Sequence, residues 1–180
     1  AQFIIEETDR LNNIVTGYLD FASGKRTLNL RKVDLKKMLS SITEQFIPRL
    51  AREGVILASV GPVTQVPATA DPVALRQVII NLILNAAEAS RGMKNACVNV
   101  SCAVGSSQPT IEVKDNGRGM SAREQKSIFE PFYTTKTTGS GLGLFLSRNL
   151  VRQMGGEIEL ESKKGGPTLF RVTLPPADKV

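Results

Sequence analysis

Apolar residues recur along the chain with two periods, near 3.6 and near 2. In residues 1–22, AQFIIEETDRLNNIVTGYLDFA, Ile4, Leu11 and Tyr18 form one seven-residue series. Val15 and Ala22 form a second, with Thr8 in its gap. This seam predicts a bundle-type helix that needs a partner, with an ordinary helix packed on its own domain as the alternative. No cap precedes the pattern, so residue 1 is expected to cut a longer helix. SGKRTLNLRK, residues 23–32, is polar and predicts a linker. Asp34 can cap a helix through LKKMLSSITEQFIPRLARE, and VILASV (55–60) predicts a strand. GPVTQVPATA is a connector, with a short strand near Val66 to Thr69. Asp71-Pro72 marks a helix start, and the helix runs through VALRQVIINLILNAAEAS.

The second half reads in the same way. ACVNVSCAV (96–104) and PTIEVKD (109–115) are two strands joined by GSSQ. SAREQKSIFE carries a Ser121 cap with Glu124 three residues on, a capping box. LGLFLSRNLVRQM predicts a helix stopped by Gly155-Gly156, and EIELES and TLFRVTLP a last strand pair joined by KKGG. Helices and hairpins without regular βαβ alternation predict an α+β fold. Its helices should lie on one face of a mixed, largely antiparallel sheet, behind an N-terminal helix.

Composition narrows the picture. With 180 residues, 41% hydrophobic and 22% charged, the chain can build one domain with a sizeable core. No apolar run approaches the roughly 20 residues of a membrane span, and no secretory signal opens the chain. Cys97 and Cys102 sit at odd spacing on one strand, hence on opposite faces, so no bridge is expected. That favours a reduced, cytoplasmic setting. The net charge of +6 is scattered, as in Lys36-Lys37 and Lys163-Lys164, and tryptophan is absent. A solvated basic surface or an acidic ligand fits this better than nucleic acid. Histidine is also absent, which removes the commonest general base and metal ligand.

Three stretches carry candidate chemistry. On the apolar helix from Pro72, Gln77, Asn81, Asn85 and Glu88 recur at spacings of four, four and three, so they share one face. They are either a buried amide network or the wall of a polar ligand cavity, where an Asn oxygen could hold Mg²⁺. DNGRGM (115–120) is either a plain turn or a strand-end carboxylate, Asp115, placed to accept from an exocyclic amine. TTGSGLGL (137–144) has glycines at 139, 141 and 143. It fits neither the dinucleotide fingerprint nor the Walker loop, and leaves a flexible loop or an unclassified phosphate contact.

In this order, NLILNAAEA, DNGRGM, IFEPFYTTK and GSGLGL resemble the N, first Gly, F and second Gly boxes of the sensor histidine kinase ATP-binding domain. Gyrase-type topoisomerases, heat-shock chaperone ATPases and mismatch-repair ATPases share that superfamily. DPVALRQVIINL, MGGEIELES and GGPTLFRVTLP agree with it, and the resemblance spans about residues 31–175. RLNNIVTGYLDFAS is similar to the second helix of the family's dimerisation and phosphoacceptor bundle. TTK and Glu88 are most similar to the nitrogen-regulation type.

The resemblance implies a two-layer α/β sandwich that binds Mg·ATP. Residues 1–22 would belong to the bundle, 23–32 to a linker and 33–177 to the catalytic domain. Asp115 would accept the adenine amine, Gly117 and Gly119 would line the base, Met120 would belong to the ATP-binding residues, and Thr168 would touch the base indirectly. Asn85 would hold Mg²⁺, Glu88 would belong to the ATP-binding residues, and Asn81 and Lys136 would lie near the phosphates as catalytic residues. Gly139, Ser140, Gly141, Leu142, Gly143 and Leu144 would wrap the phosphates, and residues 130–140 would form a lid. The reaction would be γ-phosphoryl transfer to a histidine on the bundle's first helix, which this chain lacks. The alternative is an ATPase driving conformational change, but the hydrolysing relatives place a water-activating Glu where Asn81 stands, and an amide is a poor base. The implied partners are the phosphoacceptor helix, a dimer mate and a response regulator, with membrane contact only through other parts of a parent protein.

Overall fold

The computed structural model describes residues 27–61, 64–104, 108–136 and 139–177. The helix expected over 1–22 and the first residues of the linker lie outside these. In chain order the elements are β1 (Arg31–Asp34), α1 (Leu35–Arg52), β2 (Ile56–Val60), β3 (Pro67–Ala70) and α2 (Pro72–Ser90). Then follow β4 (Cys97–Val104), β5 (Pro109–Asp115), α3 (Ala122–Ser127), α4 (Gly143–Gln153), β6 (Glu157–Ser162) and β7 (Thr168–Thr173).

Five strands form the main sheet in the order β2-β4-β5-β7-β6. β2 and β4 run parallel and every other neighbouring pair is antiparallel. The alternation of the strands sets two unlike faces. Val100, Val113 and Phe170 align across the sheet and are buried, as are Cys102, Ile111, Val172 and Ile158 one row along. Helices α1, α2 and α4 cover this face. The opposite face carries Glu112, Arg171, Glu159 and Glu161, with Arg171 Nε 2.8 Å from Glu112 Oε1. Such exposed pairs contribute well under about 1 kcal/mol each, so the helices on the buried face hold the fold. The result is the expected α+β two-layer sandwich.

Local chemistry fixes the helix starts. Asp34 Oδ1 accepts from Lys36 N–H at 3.1 Å, and Asp71 Oδ1 accepts from Val73 and Ala74 N–H at 2.9 and 3.0 Å. Ser121 and Glu124 form the reciprocal capping box. α2 is held mainly by packing: Leu75, Val78, Ile79, Leu82 and Ile83 are fully buried. Each contributes about 2 kcal/mol, more than the few tenths that β-branched residues cost a helix. Val73, on the same helix, is instead 68% exposed.

One boundary needs correction. Arg31 and Lys32 were expected in the linker but belong to β1, where they pair with Ala70 and Thr69 of β3. Only Val33 of that strand is buried, so its polar composition hides it. The small β1–β3 sheet anchors the start of α1, with Leu35 N–H donating to Val66 O at 2.9 Å.

Candidate functional site

The polar stripe of α2 faces away from the sheet, toward α4 and the segment before it. Gln77 and Glu88 are exposed, and Asn81 and Asn85 half-buried, so the stripe is a wall and not a core network. Asn81 Nδ2 donates to Ser147 Oγ of α4 at 3.0 Å. Its Oδ1 lies against Gly143, the first residue of α4, where a Cβ would come within 2.7 Å. The α4 N-terminus therefore abuts Asn81. Leu142 is its cap residue, and its own side chain makes no capping bond. The first N–H groups of a helix have no partner within it and favour anions.

Lys136 closes the other end of the stripe. Its ammonium donates to Asn85 Oδ1 at 2.7 Å and to Glu88 Oε2 at 2.6 Å. Its backbone N–H donates to Thr134 Oγ1 at 3.0 Å, and Gly139 leaves room beside that hydroxyl. Arg118, between the two glycines of the DNGRGM turn, donates to Thr135 Oγ1 at 3.0 Å and pairs with Glu124. Gly141 packs against the Phe132 backbone, Ser140 Oγ accepts from Leu142 N–H, and Leu144 packs on the core.

Asp115 ends β5 on the helix side of the sheet, in register with Thr168 and, beyond it, Ser162. It is 3% exposed, and its Oδ1 accepts from Gly117 N–H at 2.8 Å. Burial pushes the carboxyl up from 3.8 to about 6, against hydrogen bonds from the Gly117 and Thr168 backbones that pull it down. Ser162 Oγ bonds Thr168 Oγ1 at 2.9 Å and accepts from Met120 N–H at 3.0 Å. Gln125 Nε2 clips Met120 O and Ser162 O together. Gly119 faces the Lys163–Gly166 turn and Gly117 faces Ala89 O, so protein backbone fills the space beside both glycines.

The structure thus gathers Asn81, Asn85, Glu88, Lys136 and Gly143 in one cluster. Asp115, Gly117, Met120 and Thr168 form a second around the end of β5. Sequence reading missed Ser147, the partner of Asn81, and Arg118, which ties the first glycine turn to Thr135. It also missed Arg148, whose guanidinium lies 4.7 Å from the Phe129 ring centroid and donates to Glu157 Oε1 at 2.9 Å. Ser147 lies four residues, one helical turn, beyond Gly143, a spacing that could have flagged it.

No cluster of three or more His, Cys, Asp or Glu is assembled among the described residues. A hard cation would rest here on Asn85 Oδ1 and Glu88 Oε2, which already hold an ammonium. Their donor chemistry fits Mg²⁺ completed by phosphate oxygens and water.

An ATPase fold is therefore indicated by sheet, helices and site together. The chain belongs to the family of histidine kinase-, DNA gyrase B- and HSP90-like ATPases, whose model matches residues 70–178. It is 33% identical over 175 residues to the sensor histidine kinase ZraS of Klebsiella oxytoca, covering 97% of this chain and 37% of that protein. The chain thus spans little more than a third of that relative. Among solved structures, full-length ShkA in complex with AMPPNP is similar at a TM-score of 0.81 and 28% identity, over 97% of this chain and 38% of that one. Histidine kinase ThkA in complex with the response regulator TrrA has the same fold, at a TM-score of 0.77 and 24% identity, over 98% and 51%. No helix among the described residues is long and apolar enough to cross a membrane.

Proposed function

We propose that this chain binds Mg·ATP and passes the γ-phosphoryl group to a histidine on a phosphoacceptor helix. The observation that carries this reading is the convergence of Asn81, Asn85 and Glu88 with the α4 N-terminus and Lys136. In this reading the α4 N–H groups and Lys136 hold the phosphates, and Asp115 accepts from the adenine amine. Asn85 and Glu88 would hold Mg²⁺, which neutralises phosphate charge when bound. Met120 and Thr168 shape the base end through the Ser162 network.

Transfer is favoured over hydrolysis. Asn81 is an amide, a poor base, and is engaged by Ser147. Glu88 is assigned in this reading to the metal ion and so is not left free to act as a base. With Asn81, an amide, at the position of the water-activating base, catalysis in this reading is positioning and charge neutralisation. ShkA was solved with AMPPNP and ThkA with a response regulator, which supports nucleotide binding and a receiver-type partner for this chain too. The free cysteines Cys97 and Cys102 support a reducing, cytoplasmic setting.

The test is calorimetry with Mg·ATP on the chain and on Asp115→Ala. Loss of binding in the variant is expected, and equal binding refutes the adenine role. Mixed with a helix-pair fragment bearing the acceptor histidine, the chain should transfer label from γ-labelled ATP. Steady phosphate release without that fragment would instead favour the ATPase reading.

A further inference from the structure

Lys136 does more than wait for phosphate. Its ammonium lies between two oxygens one helical turn apart, Asn85 Oδ1 and Glu88 Oε2. Those two oxygens are the pair to which the proposed function assigns the divalent cation, and the inference rests on that reading. An ammonium within 2.7 Å of both oxygens takes the position between them that a second cation would share, and the two positive charges would repel. Lys136 and a metal ion therefore compete for this pair.

The geometry points to Lys136 as a tethered cation that latches the segment from Glu130 to Lys136 onto α2 until nucleotide arrives. The triphosphate then draws the ammonium off the Glu88 carboxylate, and the vacated oxygens become available to the metal ion. One side chain thereby links closure of the segment to the ionic state of the site. The latch is weak enough to open: the Lys136 and Glu88 side chains keep 33% and 40% of their exposure. A pair of this kind shifts a local equilibrium by up to about fivefold. A second tie from Arg118 to Thr135 keeps the segment near the site when Lys136 leaves.

Hydrogen exchange on the nucleotide-free chain tests the latch. In Glu88→Gln and in Lys136→Met, the backbone amides of Tyr133 to Lys136 should exchange roughly two- to fivefold faster than in the parent chain. The double variant should be no faster than Lys136→Met, which already removes the contacts to both Glu88 and Asn85. Raising salt should speed exchange in the parent chain and leave Glu88→Gln unchanged. Unchanged exchange in both single variants, or additive effects in the double variant, overturns the latch. Because no nucleotide is present, this outcome is independent of ATP binding. A chain that binds Mg·ATP by calorimetry yet shows no exchange difference refutes the latch alone. A chain with the exchange pattern that binds no nucleotide refutes the proposed function and its ionic handover.

Discussion

Gly143 lies so close to Asn81 that a methyl group on it would meet the Asn81 Oδ1 at 2.7 Å and Nδ2 at 3.2 Å. The glycine thus lets the start of α4 approach the α2 stripe, and Asn81 spends its amide on Ser147 in the same contact. Gly143→Ala must rotate the carboxamide and leave the buried Ser147 hydroxyl without its donor, at a cost of about 1–3 kcal/mol. Helix propensity returns less than about 1 kcal/mol at a first-turn position. A net loss of roughly 1–2 kcal/mol is expected. Asn81→Ala removes the obstacle, so Gly143→Ala should be near neutral in that background. Urea unfolding of all four proteins reads the coupling directly, and additive costs would refute the contact.

What the chain reveals by itself divides along the range of its interactions. The caps at Asp34, Asp71 and Ser121 are local chemistry between residues two or three apart, and all three form as their patterns predict. The sandwich follows from alternation and from the apolar breadth of α2. β1 escaped because RKVD buries a single side chain and is made a strand by β3, thirty-odd residues away. The site divides likewise. The stripe on α2 is periodic and therefore legible. Its engagement by Lys136 and Ser147 bridges 48 to 66 residues of sequence, and no local pattern encodes such a pairing. Val73 reads as core but is exposed, because it falls on a side of α2 that no described element covers.

Asp71 should be the most costly of the helix caps to remove. Its Oδ1 serves two N–H groups of α2 and its Oδ2 accepts from Asn29 N–H at 2.8 Å, tying the start of the described chain to the helix. Asp71→Ala should cost roughly 2–3 kcal/mol, the cap plus one charged hydrogen bond. Asp71→Ser keeps the cap but cannot reach Asn29, and should fall between. Asp34→Ala, at a more exposed cap with bonds of 3.1 and 3.5 Å, should cost about 0.5–1 kcal/mol. Thermal unfolding should rank the melting temperatures in that order, at about 2–4 °C per kcal/mol. Equal losses at the two caps would contradict the second role of Asp71.

Gly119 and Gly165 make a controlled pair, since both have positive φ, +63° and +75°. A Cβ on Gly165 would meet nothing within 4 Å, whereas on Gly119 it would lie 1.9 Å from Lys163 O. Gly165→Ala should therefore show only left-handed backbone strain, about 1 kcal/mol. Gly119→Ala adds displacement of the β6–β7 turn. That breaks the 2.8 Å bond from Gly165 N–H to Arg118 O and disturbs the Met120–Ser162 contact. A loss above about 3 kcal/mol is expected. Denaturant midpoints that coincide for the two variants would show that the turn yields freely.

Asp115 links stability to pH with a definite sign. Its folded carboxyl titrates at about 6 against an ordinary value of 3.8, chiefly because burial disfavours the charge. Between these values the unfolded chain releases its proton while the folded chain keeps it, so stability falls as pH rises through the window and levels off above it. The gap corresponds to roughly 3 kcal/mol. Asp115→Asn carries no such proton. The stability of the parent chain relative to this variant should thus drop by about that amount from pH 4 to pH 7. Glu53, Glu124 and Glu157, whose carboxyls are held below their ordinary values, contribute the opposite slope but are common to both proteins and cancel. Urea unfolding across that range is the measurement, and a difference independent of pH would mean that Asp115 ionises as an exposed carboxylate does. Hydrogen bonding of an amine donor to the ionised carboxylate reverses part of the burial effect, so saturating Mg·ATP should flatten the slope in the parent chain and leave Asp115→Asn unaffected.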